Sequence, residues 1–210
     1  MTVATVADSA VACVCASIAG ERCAIVPGFL PAPIVAALAT EARRRDAAGD
    51  FRAARIGRGK DRVERSDIRG DRTLWLDEQA PAPAEIALWR TLETLRIALN
   101  ESTYLGLFAF EGHYALYPPG ALYRRHRDRF RDDDARVLSC VLYLNDAWTA
   151  ADGGALRLHV SASDAHNILP VGGTLVCFLA DRYEHEVLPA RRERLAITGW
   201  FRRRDRCSAW

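Results

Sequence analysis

The sequence predicts a mainly β protein whose core packs against helices from the N-terminal half. Helical periodicity is confined to the first half of the chain, and from about residue 104 short strand-like runs follow one another with turn residues between them. Strands in series without intervening helices favour antiparallel pairing in a sandwich, a barrel or a jelly roll. The 210 residues, half of them apolar and 27% charged, suit one domain with a substantial core.

Three helices are expected in the first half. The first covers 8–19, the second runs from Pro31 to about Ala48, and the third lies within "APAEIALWRTLETLRIALN". The apolar N-terminal segment "AVACVCASIA" has no basic residue before it and is too short to span a bilayer, so we expect a packed helix rather than a signal peptide or membrane segment. The apolar stripe of the third helix consists of Ile86, Trp89, Leu92, Leu95 and Leu99.

The second half predicts a series of short strands. Their cores are the runs "YLGLFAF", "VLSCVLYLN", "GALRLHV", "GTLVCFLA" and "RLAITGWF". Between the second and third helices, residues 52–72 are polar and rich in glycine and arginine, which indicates a hairpin or a mobile loop.

Charge and cysteine usage argue against several classes of protein. The 29 basic residues are nearly matched by 27 acidic ones, so the net charge of +2 gives no general case for nucleic-acid binding. The six cysteines show no CxxC pairing, and Cys140 and Cys177 lie in apolar strand patterns, where thiols serve as small core residues. We therefore expect a reducing, cytoplasmic setting. Nothing in the sequence indicates an oligomeric state.

The segment "LYRRHRDRF" contains a candidate half of a metal site. A two-residue step on an extended strand points His126 and Asp128 to the same side, so both can reach one ion. Alone this is a weak signal, because charged loops contain such tripeptides by chance. His185 in "DRYEHEVLP" supplies a second histidine near the expected start of a strand. Two histidines and one carboxylate form the facial triad of non-haem Fe(II) oxygenases, and a ligand set without thiolate disfavours a closed structural zinc site.

A 2-oxo acid chelating such an iron would need a partner for its far carboxylate, and Arg194 is the candidate. We expect the turn "PARRE" to fold the strands of His185 and Arg194 into a hairpin, which places the guanidinium one strand away from the metal ligand. Its planar fork binds a carboxylate through two hydrogen bonds and stays charged when buried. Strand alternation puts Ser139, Val141 and Tyr143 on one face, so the Tyr143 hydroxyl can share that carboxylate.

Together these motifs resemble a known enzyme family. The series "YPPG…HRD…VLYLNDAW…DGGALRL…HEVLP…RLAITGW" is similar to the Fe(II)/2-oxoglutarate dioxygenases of the prolyl-hydroxylase superfamily. The upstream "DIRGDRTLWL" resembles the substrate-covering loop of the hypoxia-factor prolyl hydroxylases and their bacterial relatives. The likeness covers about residues 20–203. The segment "DRYEH" is a residue shorter than in the family, which concerns the substrate and not the iron site.

The resemblance implies a double-stranded β-helix (jelly roll) with flanking helices. Residues 1–103 then form the helical support and the substrate loop of a single domain spanning 1–210, and 104–203 form its core. The Fe(II) ligands implied are His126, Asp128 and His185. Arg194 and Tyr143 are implied to bind the C5 carboxylate of 2-oxoglutarate, with Tyr117 of "YPPG" near the iron-side end of this co-substrate.

The resemblance also implies the reaction and the substrate entrance. Fe(II), 2-oxoglutarate and O2 would serve to hydroxylate a proline exposed on a protein or peptide, releasing succinate and CO2, with ascorbate as an optional reductant. Residues 52–72 are expected to form a mobile lid over the peptide that contributes little to stability. The positions matched to the entrance are Arg69, Asp71, Arg136 and Trp200, with Asp71 and Arg136 as an ion pair.

Other interpretations of these residues stay open. The same chemistry could act on a free amino acid or another small molecule, although the "IRGD" loop favours a peptide. A catalytically silent β-helix that serves as a binding or sensor module is a further alternative, against which the intact triad and Arg194 argue. Tyr117 and Tyr143 could each be plain core aromatics. Six further residues are assigned no site role or a packing role: His113, His159, His166, Trp75, Trp89 and Trp148.

Overall fold

The computed structural model describes residues 6–56, 63–129, 135–161 and 163–204. Within these ranges the α-helices are α1 (Val6–Gly20), α2 (Ala32–Ala47) and α3 (Ile86–Thr103), with short 3-10 turns at Pro83–Glu85 and Ala150–Asp152. No helix in the described ranges is long and apolar enough to cross a membrane. The strands, in chain order, are β1 (Cys23–Val26), β2 (Arg52–Ala53), β3 (Arg72–Trp75), β4 (Ala109–Tyr117), β5 (Tyr123–His126), β6 (Arg136–Tyr143), β7 (Leu156–His159), β8 (Ala165–Ile168), β9 (Leu175–Leu179), β10 (Glu184–Val187) and β11 (Arg194–Arg202).

The strands form two antiparallel sheets. The larger sheet has the order β1-β9-β6-β11-β4-β3-β2, and the smaller has the order β5-β10-β7-β8. The expected mainly β fold with antiparallel pairing is confirmed. Three strands of the larger sheet, β1 to β3, come from before residue 104. They are too short to carry a readable alternation, so the sequence did not reveal them.

Strand alternation divides the interior into two layers. On β11, Leu195, Ile197 and Phe201 belong to the core that contains the helix leucines, whereas Ala196 belongs to the cluster shared with the smaller sheet. Full burial of one leucine stabilises the fold by roughly 2 kcal/mol. The buried leucines of the helices therefore contribute substantially to holding the larger sheet in place. The opposite face of that sheet is left to the functional site.

Two details of the predicted elements are wrong. In α3 the buried stripe begins at Leu88, which is 1% exposed, and not at Ile86, which is 42% exposed. The run "YLGLFAF" is not a strand over its whole length, because β4 starts only at Ala109. Tyr104 ends α3 in the left-handed conformation (φ 53°), and Gly106 follows with φ 68°, so an extended strand cannot begin there.

Candidate active site

Three candidate metal ligands converge on the face of the smaller sheet that meets the larger one. β5 ends at His126, Asp128 follows two residues later, and His185 lies directly opposite His126 on β10. Nε2 of His126 lies 3.5 Å from Oδ1 of Asp128, and Nε2 of His185 lies 3.5 Å from Oδ2. One ligand atom from each residue falls within 4.8 Å of the other two. Two bonds of roughly 2.0–2.2 Å from a single divalent ion can span each of the 3.5 Å gaps between Asp128 and the histidines.

Neighbouring groups hold the three ligands in orientation. The Nδ1–H of His126 donates to the Arg124 carbonyl (2.7 Å), because a carbonyl can only accept, so Nε2 keeps its lone pair for the metal. The Ser139 hydroxyl donates to Oδ2 of Asp128 (2.7 Å) from the facing sheet. The ring of Tyr123 stacks on His126, with centroids 3.6 Å apart. Such partners restrict a ligand's rotation and tune its basicity.

The protonation states suit metal binding. Burial raises the pKa of the Asp128 carboxyl, but His185, His126 and the Ser139 hydroxyl together outweigh burial and hold that pKa well below its usual range. Burial lowers the pKa of the His185 imidazole to about 4, and the Asp128 carboxylate offsets this only in part. At neutral pH the site therefore presents an anionic carboxylate and a neutral imidazole, the forms that coordinate metals.

Replacing Ser139 by alanine is expected to weaken Mn(II) binding about tenfold, because Asp128 loses the hydroxyl that orients it. Competition with a fluorescent chelator measures the affinity. The matched control is Ser102→Ala, whose hydroxyl bonds to the Ala98 carbonyl within α3. Equal affinities for both variants would mean that the carboxylate needs no partner from the facing sheet.

Arg194 is a buried cation without an anionic partner. Its side chain is 2% exposed, and Nε donates to the Gly154 carbonyl (2.9 Å). Among the described residues no carboxylate lies within ion-pair distance of it, and Nη2 has no hydrogen-bond partner. Burying an unpaired charge costs free energy, so this arginine is well suited to bind an anionic ligand.

The expected hairpin between His185 and Arg194 is not formed. β10 lies in the smaller sheet, whereas β11 pairs with β4 and β6 in the larger one. Instead, the turn between β10 and β11 pairs with the segment before β7, through a β-bridge between Ala190 and Gly153. Arg194 therefore reaches the site from the facing sheet, which encloses a ligand between two walls where a hairpin would leave it on one.

Two tyrosines flank the Arg194 guanidinium. Its central carbon lies 5.2 Å from the ring centroid of Tyr117 and 5.1 Å from that of Tyr143. The Tyr143 hydroxyl is buried and has no partner among the described residues. Burial raises the pKa of Tyr143 to about 12 against the opposing effect of Arg194, so the phenol stays a donor. Two orphaned buried donors side by side are what one end of a dicarboxylate requires, so these residues fit 2-oxoglutarate.

Arg69 and Asp71 form a buried ion pair behind the metal site. Nε and Nη2 of Arg69 bind the two carboxylate oxygens at 2.7 and 2.9 Å, and the Asp71 side chain is fully buried. Arg69 also stacks on Tyr123 (4.8 Å), which in turn stacks on His126. The pair thus supports a candidate metal ligand through Tyr123, and Arg69 itself lines the same cleft as the metal ligands.

This arrangement corrects the expected lid. Residues 57–62 of the predicted lid lie outside the described part of the chain. The ends of 52–72 are fixed: Gly70 donates to the Leu122 carbonyl, Arg124 to that of Ile68, and Ala54 to that of Asp71. The burial of the Arg69–Asp71 pair argues against the expectation that the C-terminal part of this stretch contributes little to stability. A polar sequence gave no sign of that burial.

Asp71→Ala is expected to destabilise the fold by about 3 kcal/mol, since it leaves the largely buried Arg69 guanidinium unpaired. Urea unfolding measures the loss. Asp67→Ala is the matched control, because Arg65 and Asp67 form the same two-residue ion pair while both side chains are more than half exposed. Equal stability of the two variants would restore the interpretation as a dispensable loop.

Arg136 and Trp200 lie together at the entrance. The Arg136 guanidinium stacks on the Trp200 ring at 3.5 Å and pairs with Glu111 at 2.9 Å. The expected ion pair between Asp71 and Arg136 is wrong, because Asp71 is bound to Arg69. Both arginine and tryptophan face the same cleft as the metal ligands.

The sequence interpretation missed two entrance residues, Trp75 and His113. Their Cα atoms are paired across β3 and β4, and their rings lie 5.0 Å apart next to Trp200. Trp75 is 50% exposed and is not a packing residue, and burial lowers the pKa of His113 to about 4, so it is neutral. The feature that marks these residues is an exposed tryptophan within a sheet. The sequence does not show this exposure, because it depends on which strands pair.

A cleft of about 690 Å³ joins the candidate metal ligands, Arg194 and the entrance residues. His126, Asp128, His185 and Arg194 line its inner part, and Trp75, Trp200 and the residues around β2 line its outer part. The inner part fits a metal with a small dicarboxylate, and the outer part leaves room for a longer ligand.

Comparison with known proteins places the chain in a family. The profile of the 2OG-Fe(II) oxygenase superfamily matches residues 112–202, which contain the three candidate ligands and Arg194. The crystal structure of a Pseudomonas putida prolyl-4-hydroxylase superposes with a TM-score of 0.84 at 48% sequence identity, covering 93% of this chain and 100% of that one. The chain belongs to the 2OG-Fe(II) oxygenase superfamily.

Two further relatives are a prolyl hydroxylase solved with a bound peptide and a curated human protein. A Trichoplax adhaerens prolyl hydroxylase in complex with a hypoxia inducible factor peptide fragment superposes with a TM-score of 0.83 at 25% identity, covering 93% of this chain and 90% of that one. Human Egl nine homolog 1 is 35% identical over 144 residues, 64% of this chain and 33% of that protein. The chain thus spans about a third of that curated relative.

Membership confirms two expectations from the sequence. The two-sheet architecture is the jelly roll of this superfamily. Fe(II), 2-oxoglutarate and O2 are its cofactors, and the His-Asp-His group together with the orphaned donors of Arg194 and Tyr143 fits the metal and the 2-oxo acid. The individual roles of the site residues and the use of ascorbate stay predictions.

Proposed function

We propose that the protein is an Fe(II)- and 2-oxoglutarate-dependent dioxygenase that hydroxylates a prolyl residue in a protein or peptide. The observation that carries this is one cleft in which a His-Asp-His group and an unpaired buried arginine lie beside an outer part open to a longer ligand. The names of the relatives, prolyl-4-hydroxylase above all, support proline as the target. We further propose that the chain acts as a single domain in the cytoplasm, with ascorbate as an optional reductant.

Each part of the site has a distinct task in this proposal. His126, Asp128 and His185 would hold the metal, and three protein ligands would leave room for the 2-oxo acid and O2. With 2-oxoglutarate and O2, the bound iron supplies the oxidising power that converts a C–H bond to an alcohol while succinate and CO2 are released. Arg194 and Tyr143 fix the far carboxylate and so orient the keto acid toward the metal.

The enclosing walls protect this chemistry. Phe178 packs on His185 with ring centroids 4.8 Å apart, and Tyr117 and Tyr143 are buried against the cluster between the sheets. This apolar lining keeps water away from the inner cleft. No side chain has to act as a general base in this reaction. In this proposal the histidines of the site bind the metal, and Arg194 binds the far carboxylate of 2-oxoglutarate.

Mass spectrometry of a host lysate tests the proposal. The lysate is incubated with Fe(II)-loaded protein, with and without 2-oxoglutarate, and peptides that gain one oxygen atom on proline are sought. We expect a small number of such peptides only when both are present, together with succinate. Oxygen found only on free amino acids or small metabolites would favour a small-molecule substrate. Succinate formed at the same rate with and without the lysate would contradict a peptide substrate.

A further inference from the structure

The cleft carries an excess of positive charge. Among the described residues, seven arginines line it but only three carboxylates, Asp50, Glu111 and Asp128. Asp50 is bound by Arg45, and Asp128 is a candidate metal ligand. Glu111 accepts hydrogen bonds from Arg136 (2.9 Å) and Arg202 (3.1 Å). Of the other cleft arginines, Arg69 pairs with Asp71, Arg127 lies 3.9 Å from Glu184, and Arg194 is assigned to the co-substrate. The two that remain are Arg52 and Arg55.

Two of those cations stand at the outer end. Arg52, on β2, donates to the backbone carbonyls of Phe51 (3.1 Å) and Gly49, and its residue is exposed. Arg55 is also exposed, and within the described ranges neither arginine has a carboxylate within ion-pair distance. In the described part of the chain, β2 pairs with β3 alone, at the end of the larger sheet. As far as the described residues show, both guanidinium groups can therefore bind an anion that enters the cleft.

The sheet order sets what an incoming chain meets. From β11 across β4 and β3 to β2, the wall presents Trp200, His113, Trp75 and then the arginines. Trp75 is half exposed, so an apolar side chain can pack on it. His113 is neutral and does not add charge. Beyond the aromatic wall, carboxylates are the complementary groups, since guanidinium binds them in planar, two-pronged fashion.

We propose that the substrate is an acidic peptide segment: close to its target proline it carries carboxylate side chains that Arg52 and Arg55 bind. This rests on the proposed function and adds a sequence requirement to it. The contacts are exposed, so each pair changes affinity only a few-fold, and the two together change it about tenfold. They also speed encounter with negatively charged partners.

Peptide binding tests the charge requirement directly. The protein, loaded with Mn(II) and a non-reactive 2-oxoglutarate analogue, is titrated with fluorescent peptides of equal length that contain one proline flanked on both sides by Glu, Gln or Lys. We expect the Glu peptide to bind about tenfold more tightly than the Gln peptide, and the Lys peptide most weakly. Added salt should narrow this difference.

Charge reversal locates the effect. In Arg52→Glu/Arg55→Glu the order of the Glu and Lys peptides should invert. The matched control is Arg90→Glu/Arg191→Glu, two exposed arginines outside the cleft lining, which should keep the wild-type order. Thermal unfolding checks that both double variants are folded. Equal binding of all three peptides, no binding of any, or a Glu preference that survives the reversal would overturn the proposal.

Turnover separates this inference from the function it rests on. With Fe(II), 2-oxoglutarate and O2, selective binding of the Glu peptide without any oxidation of its proline would contradict prolyl hydroxylation and leave the charge preference standing. Oxidation of the Glu and Gln peptides with the same kcat/KM would contradict the charge preference alone.

Discussion

Replacing Asp128 by asparagine is expected to weaken Mn(II) and Fe(II) binding by at least about 100-fold and to abolish 2-oxoglutarate turnover. Partners of a ligand already change metal affinity about 10- to 100-fold, and Asp128 is itself the only anionic member of the candidate triad. The amide keeps the shape of the side chain but loses its negative charge, so no anionic ligand of the triad faces the ion. Chelator competition measures the affinity, and succinate formation measures turnover.

The control for this variant is Asp181→Asn, whose carboxylate pairs with Arg129 outside the triad. It should bind metal like the wild type. An Asp128→Asn protein that retains wild-type metal affinity would show that the ion sits elsewhere, and the proposed roles of His126 and His185 would then be lost with it.

The second large effect is expected for Arg194→Lys, in which 2-oxoglutarate binding should weaken by about 1.5–3 kcal/mol, roughly 10- to 150-fold. Lysine keeps the positive charge but lacks the planar guanidinium that makes two parallel hydrogen bonds. It also loses the hydrogen bond from the arginine Nε to the Gly154 carbonyl. The half-saturation concentration of 2-oxoglutarate for succinate formation measures the change. Metal affinity without 2-oxoglutarate should stay the same.

The neighbouring Arg192→Lys is the matched control. Arg192 lies over the Trp148 ring (4.3 Å) and donates to the Asp146 carbonyl (2.8 Å), away from the co-substrate. An unchanged half-saturation in Arg194→Lys would mean that a different residue holds the far carboxylate. A large effect in both variants would point to a loss of local structure.

The sequence could predict the ligands that depend on short-range spacing. His126 and Asp128 are two residues apart and do converge, although β5 ends at His126 and Asp128 lies in the bend that follows, so the expected continuous extended strand is not formed. Alternation on β6 likewise put Ser139 and Tyr143 on the face of the site, and the structure adds the bond from Ser139 to Asp128. These inferences needed no knowledge of which strands pair.

The failures all depend on pairing between distant strands. The position of Arg194, nine residues after His185, suggested a hairpin, but the chain crosses from one sheet to the other, and β11 lies between β4 and β6. Asp71 is buried because residues 68–70 form backbone hydrogen bonds with the edge of β5. The polar sequence of this segment does not predict that contact. The aromatic wall of Trp75 and His113 requires the register between β3 and β4.

Incubation under isotopically heavy O2 tests the central claim most directly. A proline-containing protein substrate found in the lysate is treated with Fe(II)-loaded protein and 2-oxoglutarate, and the products are weighed by mass spectrometry. We predict one heavy oxygen atom on the target proline and one in succinate, in equal amounts, with neither product in Asp128→Asn. A proline oxygen that comes from water, or heavy succinate without any modified proline, would contradict the account.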